Sequence, residues 1–182
     1  PQTDIFSEKT FKQYVQQFRT FYIKKRDGSK GNGIFYIKKK EKKINVSSVT
    51  NEYIFSTPSE AFRFLQQIGP SIIQQEVPAL LWKNNKFDLR VFVHYVGNHY
   101  EISGIGVRVA NAQQVTTHVP NGGKIANFEE LPYQINRPLL QSLLNKCGHQ
   151  LSTKTSFIGE FSADIGIDST GHYYIYELNA KP

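Results

Sequence analysis

Apolar residues recur at Phe11, Tyr14, Val15 and Phe18. These are the three- and four-residue steps of one helix face. Ser7 is placed to cap that helix, and Glu8 puts an acid in its first turn. From Thr20 the pattern predicts strands: Thr20–Lys25, then a glycine-rich turn over Arg26–Gly33, then Ile34–Ile37. Thr57-Pro58-Ser59-Glu60 has the form of a capping box, with proline at the first helical position. It predicts a helix to about Ile68 with Ala61, Phe62 and Leu65 inward, stopped by Gly69-Pro70. A strand follows over Ser71–Val77, ending at Pro78. Phe87–Val96 and Tyr100–Asn111 are two more strands, turned at Gly97-Asn98. Pro138–Leu151 is a leucine-rich helix. Ile158–Asp168 and Tyr173–Asn179 form a last hairpin around Ser169–His172. Helices and strands alternate, yet the strands come as hairpins, so the expected class is α+β with mainly antiparallel sheets.

A chain of 182 residues fits one domain or two small lobes. No apolar run approaches the roughly 18 residues of a membrane span, and no signal peptide opens the sequence. The chain has no Met and stops just after a motif, at Asn179-Ala180-Lys181-Pro182. It is expected to be an excised piece of a longer protein. The single Cys147 excludes an intramolecular disulfide framework and a cysteine-rich zinc site. It reads as a packing residue of its helix. The formal net charge is +7, with much of the excess in Lys38-Lys39-Lys40-Glu41-Lys42-Lys43. That run is a solvated hairpin tip or a nucleic-acid contact. No helix-turn-helix, zinc finger or RNA-binding signature supports the second reading, so no nucleic-acid partner is expected. A positive field also attracts ATP or an acidic substrate.

The strongest chemical signal is the last hairpin. Side chains alternate across a strand, which puts Glu160, Ser162, Asp164 and Asp168 on one face and Phe161, Ala163, Ile165 and Ile167 on the other. In the return strand Glu177 and Asn179 share a face. If Ser169–His172 make the loop, Asp168 pairs with Tyr173 and Asp164 with Glu177, so that Asp164, Glu177 and Asn179 converge. Facing carboxylates repel, and a cation relieves that repulsion. All-oxygen ligation suits Mg²⁺ or Mn²⁺. Mg²⁺ usually takes some ligands from phosphates, so the site predicts a nucleotide partner. The competing reading is an acidic, solvated hairpin face.

The backbone amides around Gly28, Gly31 and Gly33 could close over phosphates. This unit is strand–loop–strand, which is not a P-loop. Lys24, on the strand before it, could meet a phosphate as a point charge. Asp88, Arg90 and Phe92 share one face of their strand, and Arg108 stands between Val107 and Val109. Arginines on otherwise apolar strands need anions. Carboxylates inside the domain, a phosphate or a substrate carboxylate would each serve. His118 precedes the close-approach turn Asn121-Gly122-Gly123 and is the histidine best placed for a site.

Taken together the pieces resemble the ATP-grasp superfamily, in which ATP lies between two α+β lobes. The order is the same: the Lys24 strand, the glycine-rich loop, the end of the strand at Gln74-Gln75-Glu76-Val77, an arginine strand, then Asp164 and Glu177-Leu178-Asn179. The resemblance implies lobes at 1–77 and 78–182, a preceding N-terminal lobe and a following helix. It implies that Gln75, Glu76 and Val77 meet the adenine, and that Lys24, Ser29, Gly31 and Gly33 meet the phosphates together with Asn121. Asp164, Glu177 and Asn179 would hold Mg²⁺. Arg90 and Arg108 would stabilise the transferring phosphoryl group or orient the substrate. QQEVPALLWKNNKFDLRVFV, GIGVRVAN, and IGEFSADIGID with ELNAKP are most similar to the endospore coat-associated ATP-grasp proteins of spore-forming bacteria. Where related ligases carry Asn with Arg or His before the paired glycines, this chain has Thr117-His118-Val119-Pro120-Asn121.

The first functional expectation is an ATP-dependent carboxylate–amine ligase working through an acyl phosphate, on carboxylate and amine substrates, a peptide among them. The second is a spore-coat-associated protein that binds nucleotide, or only keeps the fold, without turnover. The expected location is cytoplasmic or at the spore coat.

Overall fold

The computed structural model describes residues 1–27, 33–111, 117 and 123–180. The chain divides into two compact units, one built on residues 1–77 and the other on 78–111 and 123–180.

The first unit is a six-stranded sheet with two helices. The strands are β1 (Thr3–Ile5), β2 (Thr20–Lys25), β3 (Ile34–Lys40), β4 (Lys43–Ser47), β5 (Glu52–Phe55) and β6 (Ser71–Gln75), in the order β1-β6-β2-β3-β4-β5. Every neighbouring pair is antiparallel. Helix α1 (Glu8–Gln17) starts at a capping box in which Ser7 and Thr10 bond reciprocally. Helix α2 (Pro58–Leu65) starts at the expected Thr57/Glu60 box and runs on as a 3-10 turn over Gln66–Ile68. Both helices lay their apolar faces on the sheet. Phe11, Tyr14, Val15, Ala61 and Leu65 meet Phe21, Ile23, Ile37, Ile44, Val46 and Ile73 in one closed core. The lysine run spans the end of β3, a turn with Glu41 at φ 53°, and the start of β4.

The second unit places β10 (Lys124–Ala126), β9 (His99–Val109), β8 (Asn85–Val96), β11 (Glu160–Ile167) and β12 (Tyr173–Asn179) in that order, and the short β7 (Leu81–Trp82) pairs with β8. All pairings are again antiparallel. Helix α3 (Arg137–Lys154) is capped by Asn136 and has proline near its start. Its Leu140 and Leu144 pack on Leu89, Val91, Val93, Phe161, Ala163 and Ile165. Gln141 and Asn145 also bond the backbone of Tyr100 and Ile102, tying α3 to β9.

The inward set on β9 changes phase along the strand: Tyr100 and Ile102 are even-numbered, whereas Ile105, Val107 and Val109 are odd. The cause is a bulge at Ser103, where Ile102 pairs with Val93 and Gly104 with Phe92. An extra residue reverses the faces beyond it. The core therefore fills one face of the sheet, and the opposite face carries Asp88, Arg90, Phe92, Arg108, Ser162 and Asp164.

Candidate functional site

The candidate residues of the second unit sit on that opposite face because β8 and β11 alternate apolar and polar side chains over their shared register. Asp164 pairs with Arg90 across β11 and β8, and Asp88 pairs with Arg108 across β8 and β9. The four side chains form one charged chain. Arg90 donates Nε to Asp164 Oδ1 at 2.9 Å and Nη2 to Oδ2 at 3.0 Å, a bidentate fork. Arg108 donates Nε and Nη2 to the two Asp88 oxygens at 2.7 and 2.8 Å. Its Nη2 also lies 2.8 Å from Asp164 Oδ2. Asp88, Arg108 and Asp164 are all buried, while the Arg90 side chain keeps 30% of its surface exposed.

Burial, the largest influence on Asp164, acts to raise its pKa. Hydrogen bonds from Arg90 and the charges of Arg108 and Arg90 outweigh it, and the carboxyl lies below its ordinary 3.8. Arg108 shows the mirror image. Burial disfavours its charge, but Asp88 and Asp164 hold it more firmly protonated than a free arginine. The arginines thus have carboxylate partners inside the unit, one of the alternatives that the sequence left open.

On the other side of Asp164 the strand pair with β12 supplies Glu177 and Asn179. Asp164 faces Glu177, and Ser162 faces Asn179. The hairpin itself closes one residue away from the expected register: Ile167, not Asp168, pairs with Tyr173. Asp168 turns into the loop, where it accepts bonds from the Thr170 hydroxyl, the backbone amides of Thr170 and His172, and the Tyr174 hydroxyl. It is therefore a turn-former, not part of the acidic row. Between Ile165–Ile175 and Asp164–Glu177 the ladder holds an extra residue, Tyr176. Without that bulge Asp164 would face Tyr176, and Glu177 would fall opposite Ala163 on the apolar side. Gly166 leaves the space: a Cβ there would collide with the Tyr176 ring and its hydroxyl.

The face could hold a cation through two carboxylates and one amide oxygen. Among the described residues no cluster of three His, Cys, Asp or Glu is arranged to hold a metal ion.

In the first unit Lys24 donates Nζ to Gln74 Oε1 at 2.6 Å, and Glu76 accepts from the hydroxyls of Tyr36 at 2.8 Å and Tyr22 at 3.4 Å. Burial first, then the Glu76 carboxylate, raises the pKa of Tyr22 and keeps it a donor. The Gln75 amide is committed to the Gln2 carbonyl, Val77 is buried, and Gly33 closes the β2–β3 hairpin at φ 80°. Ser29, Gly31, His118 and Asn121 lie outside the described residues. The sequence reading missed Asp88 as the partner of Arg108, and Tyr22 and Tyr36 as the braces of Glu76. Their period-two placement gave the face of each but not the contact.

A family model described as YheC/D-like ATP-grasp matches residues 1–182. The chain belongs to the YheC/D-like ATP-grasp family. A curated relative of this ATP-grasp chain is the endospore coat-associated protein YheD of Bacillus subtilis, 27% identical over 183 residues. The match takes in 91% of this chain and 40% of the relative, so the chain spans well under half of that protein's length. Among solved structures, N5-carboxyaminoimidazole synthetase of Staphylococcus aureus in complex with ADP superposes with a TM-score of 0.60 at 15% identity, over 99% of this chain and 40% of that one. D-alanyl-alanine synthetase A of Vibrio cholerae gives a TM-score of 0.59 at 14% identity, over 100% of this chain and 50% of that one. At these identities the likeness establishes the ATP-grasp fold, in keeping with the α+β class expected from the hairpins. No helix among the described residues is long and apolar enough to cross a membrane.

Proposed function

We infer that this ATP-grasp chain binds ATP with Mg²⁺ or Mn²⁺ and serves an ATP-dependent carboxylate–amine ligase. The observation that carries the reading is the cross-strand pair Asp164–Glu177 with Asn179 on the same face, beside the two arginines. The donor set fits a hard divalent cation. Asp164 spends three acceptor positions on arginine N–H groups, and a carboxylate offers about four. Asn179 Nδ2 is buried without a hydrogen-bond partner among the described residues. Its Oδ1 is the atom that would ligate the cation. Asp88, Asp164 and Glu177 against Arg90 and Arg108 leave one net negative charge, which is weak holding for a dication. Affinity for the cation therefore depends on the nucleotide's phosphates arriving with it.

When bound, the cation would offset charge on the transferring phosphates. Arg90 is the arginine suited to touch them. Half of its guanidinium edge is spent on Asp164, and the side chain is partly exposed. Arg108 is enclosed and orients Asp164 instead. Lys24 and the backbone at Glu76 and Val77 are the nucleotide contacts proposed for the first unit. In the reaction a substrate carboxylate oxygen attacks the γ-phosphorus and ADP leaves. The amine then attacks the acyl carbon, phosphate leaves, and the amine's proton passes to water. The two synthetases that share the fold support this reaction class.

A second reading, nucleotide binding at the spore coat without turnover, is favoured by the description of the relative YheD as coat-associated. Calorimetric titration of a non-hydrolysable ATP analogue, with and without Mg²⁺, tests the shared part. Glu177→Gln is the variant of choice, because Glu177 is exposed and bonds neither arginine, so its loss strands no buried charge. Metal-dependent binding that Glu177→Gln weakens is expected. A wild-type protein whose affinity ignores Mg²⁺ would sink the metal reading. ADP release stimulated by a carboxylate and an amine together separates the ligase from the coat protein.

A further inference from the structure

Ser162 lies one pair along from Asp164 on β11 and is wholly buried, at 0% exposure. Its neighbours in register are Phe92 on β8 and Asn179 on β12. Neither Ser162 Oγ nor Asn179 Nδ2 has a hydrogen-bond partner among the described residues, and both atoms are shielded from solvent. A buried polar group that makes no bond gives up its hydration without compensation. Two such atoms on one cross-strand pair, next to Asp164–Glu177, are out of place as packing. Alanine would fill the Ser162 position without that cost.

Their chemistry is complementary. Residues directly opposite on antiparallel strands have Cβ atoms about 4.5–5.5 Å apart, so a rotation of either side chain brings hydroxyl and carboxamide together. The hydroxyl can donate or accept, whereas the amide donates from nitrogen and accepts at oxygen. If the Ser162 hydroxyl donated to Oδ1, the NH₂ would turn outward and repel a cation. If Nδ2–H donates to Ser162 Oγ, Oδ1 turns outward and can ligate one.

We propose that Ser162 is a positioning residue of the cation–nucleotide site, accepting the Asn179 Nδ2–H and thereby holding Asn179 Oδ1 toward the divalent cation. The proposal rests on the metal-dependent nucleotide reading of the same face. It also gives the two unpaired atoms a purpose: the arrangement costs stability in the free protein and is repaid by the ligand, a trade expected at functional sites.

The test uses the full-length protein, Mn²⁺ as the probe cation followed by electron paramagnetic resonance, and calorimetry of a non-hydrolysable ATP analogue. Ser162→Ala is expected to melt at or above the wild-type temperature. It should weaken Mn²⁺-dependent analogue binding by about 10- to 100-fold, the usual effect of losing a residue that orients a ligand, and leave metal-free analogue binding unchanged. Asn179→Asp presents two equivalent oxygens and needs no orienting, so adding Ser162→Ala to it should cost little further affinity. Equal losses in both backgrounds would overturn the proposal, as would a lowered melting temperature with unaltered Mn²⁺ dependence. Wild-type protein without metal-dependent binding removes the underlying reading and this inference with it. Wild-type binding that Ser162→Ala leaves intact removes this inference alone.

Discussion

A guanidinium at 6% exposure between Asp88 and Asp164 is held charged by both carboxylates and does not shed its proton. Replacing Arg108 by Met takes a charged partner from two buried carboxylates at once, and breaking a buried pair costs about 3–5 kcal/mol. Urea denaturation of Arg108→Met should show a loss of that size. Arg90→Met removes a partner that is 30% exposed and leaves Asp164 its bond to Arg108; the loss in the same experiment should be clearly smaller. The same groups set an acid limit. The folded-state pKa values of Asp164 and Asp168 are both depressed, so their stabilisation is complete above the ordinary value of 3.8 and is lost as pH falls through the folded values. Denaturation midpoints should therefore hold down to about pH 4 and drop below it. Arg90→Met, which relieves Asp164 of one cation, raises its folded-state pKa toward the unfolded value, so the drop should be smaller and should be complete at a higher pH. At this scale the sequence disclosed which residues share a face, because strand alternation is local. It left open whether Arg90 and Arg108 meet carboxylates or phosphates, because the distances that decide it come from β8, β9 and β11 lying side by side.

The hairpin of β11 and β12 is two ladders out of phase, joined at Tyr176. Gly166 makes room for the Tyr176 ring, and a methyl group there drives the ring away. Gly166→Ala is expected to cost about 1–3 kcal/mol and to weaken metal-dependent nucleotide binding by disturbing the Asp164–Glu177 register. Combined with Tyr176→Ala, which removes the obstruction, the added cost of Gly166→Ala should largely vanish in a double-mutant cycle. Additive losses would show that the glycine matters for some other reason. The facing of Asp164 and Glu177 was legible from a four-residue loop, but the route to it was not. The real loop begins at Asp168, whose carboxylate gathers Thr170 and His172, and the bulge restores the phase. A bulge leaves no mark in a polar–apolar pattern when the extra residue is a half-buried tyrosine among tyrosines. At Ser103 the phase change was visible, since Tyr100 and Ile102 give way to Ile105 and Val107.

Across the whole molecule the long helices and strands followed from pattern and caps, and the α+β class with them. The strands β1, β5, β7 and β10, of two to four residues, are too short to carry a period, and β4 hides behind the lysines of the turn. The two apolar clusters share no residue. Ile37→Ala and Leu144→Ala, one in each, should each cost about 2–5 kcal/mol. Their effects should add within about 0.5 kcal/mol, measured on the single and double variants; strong coupling would mean that the cores are not independent. The buried members of the first cluster come from residues 11–73 and those of the second from 82–167, with no interleaving. On the ribosome that order becomes a schedule. At about 5–20 residues per second, the whole first core is in hand several seconds before the last strand of the second leaves the exit tunnel.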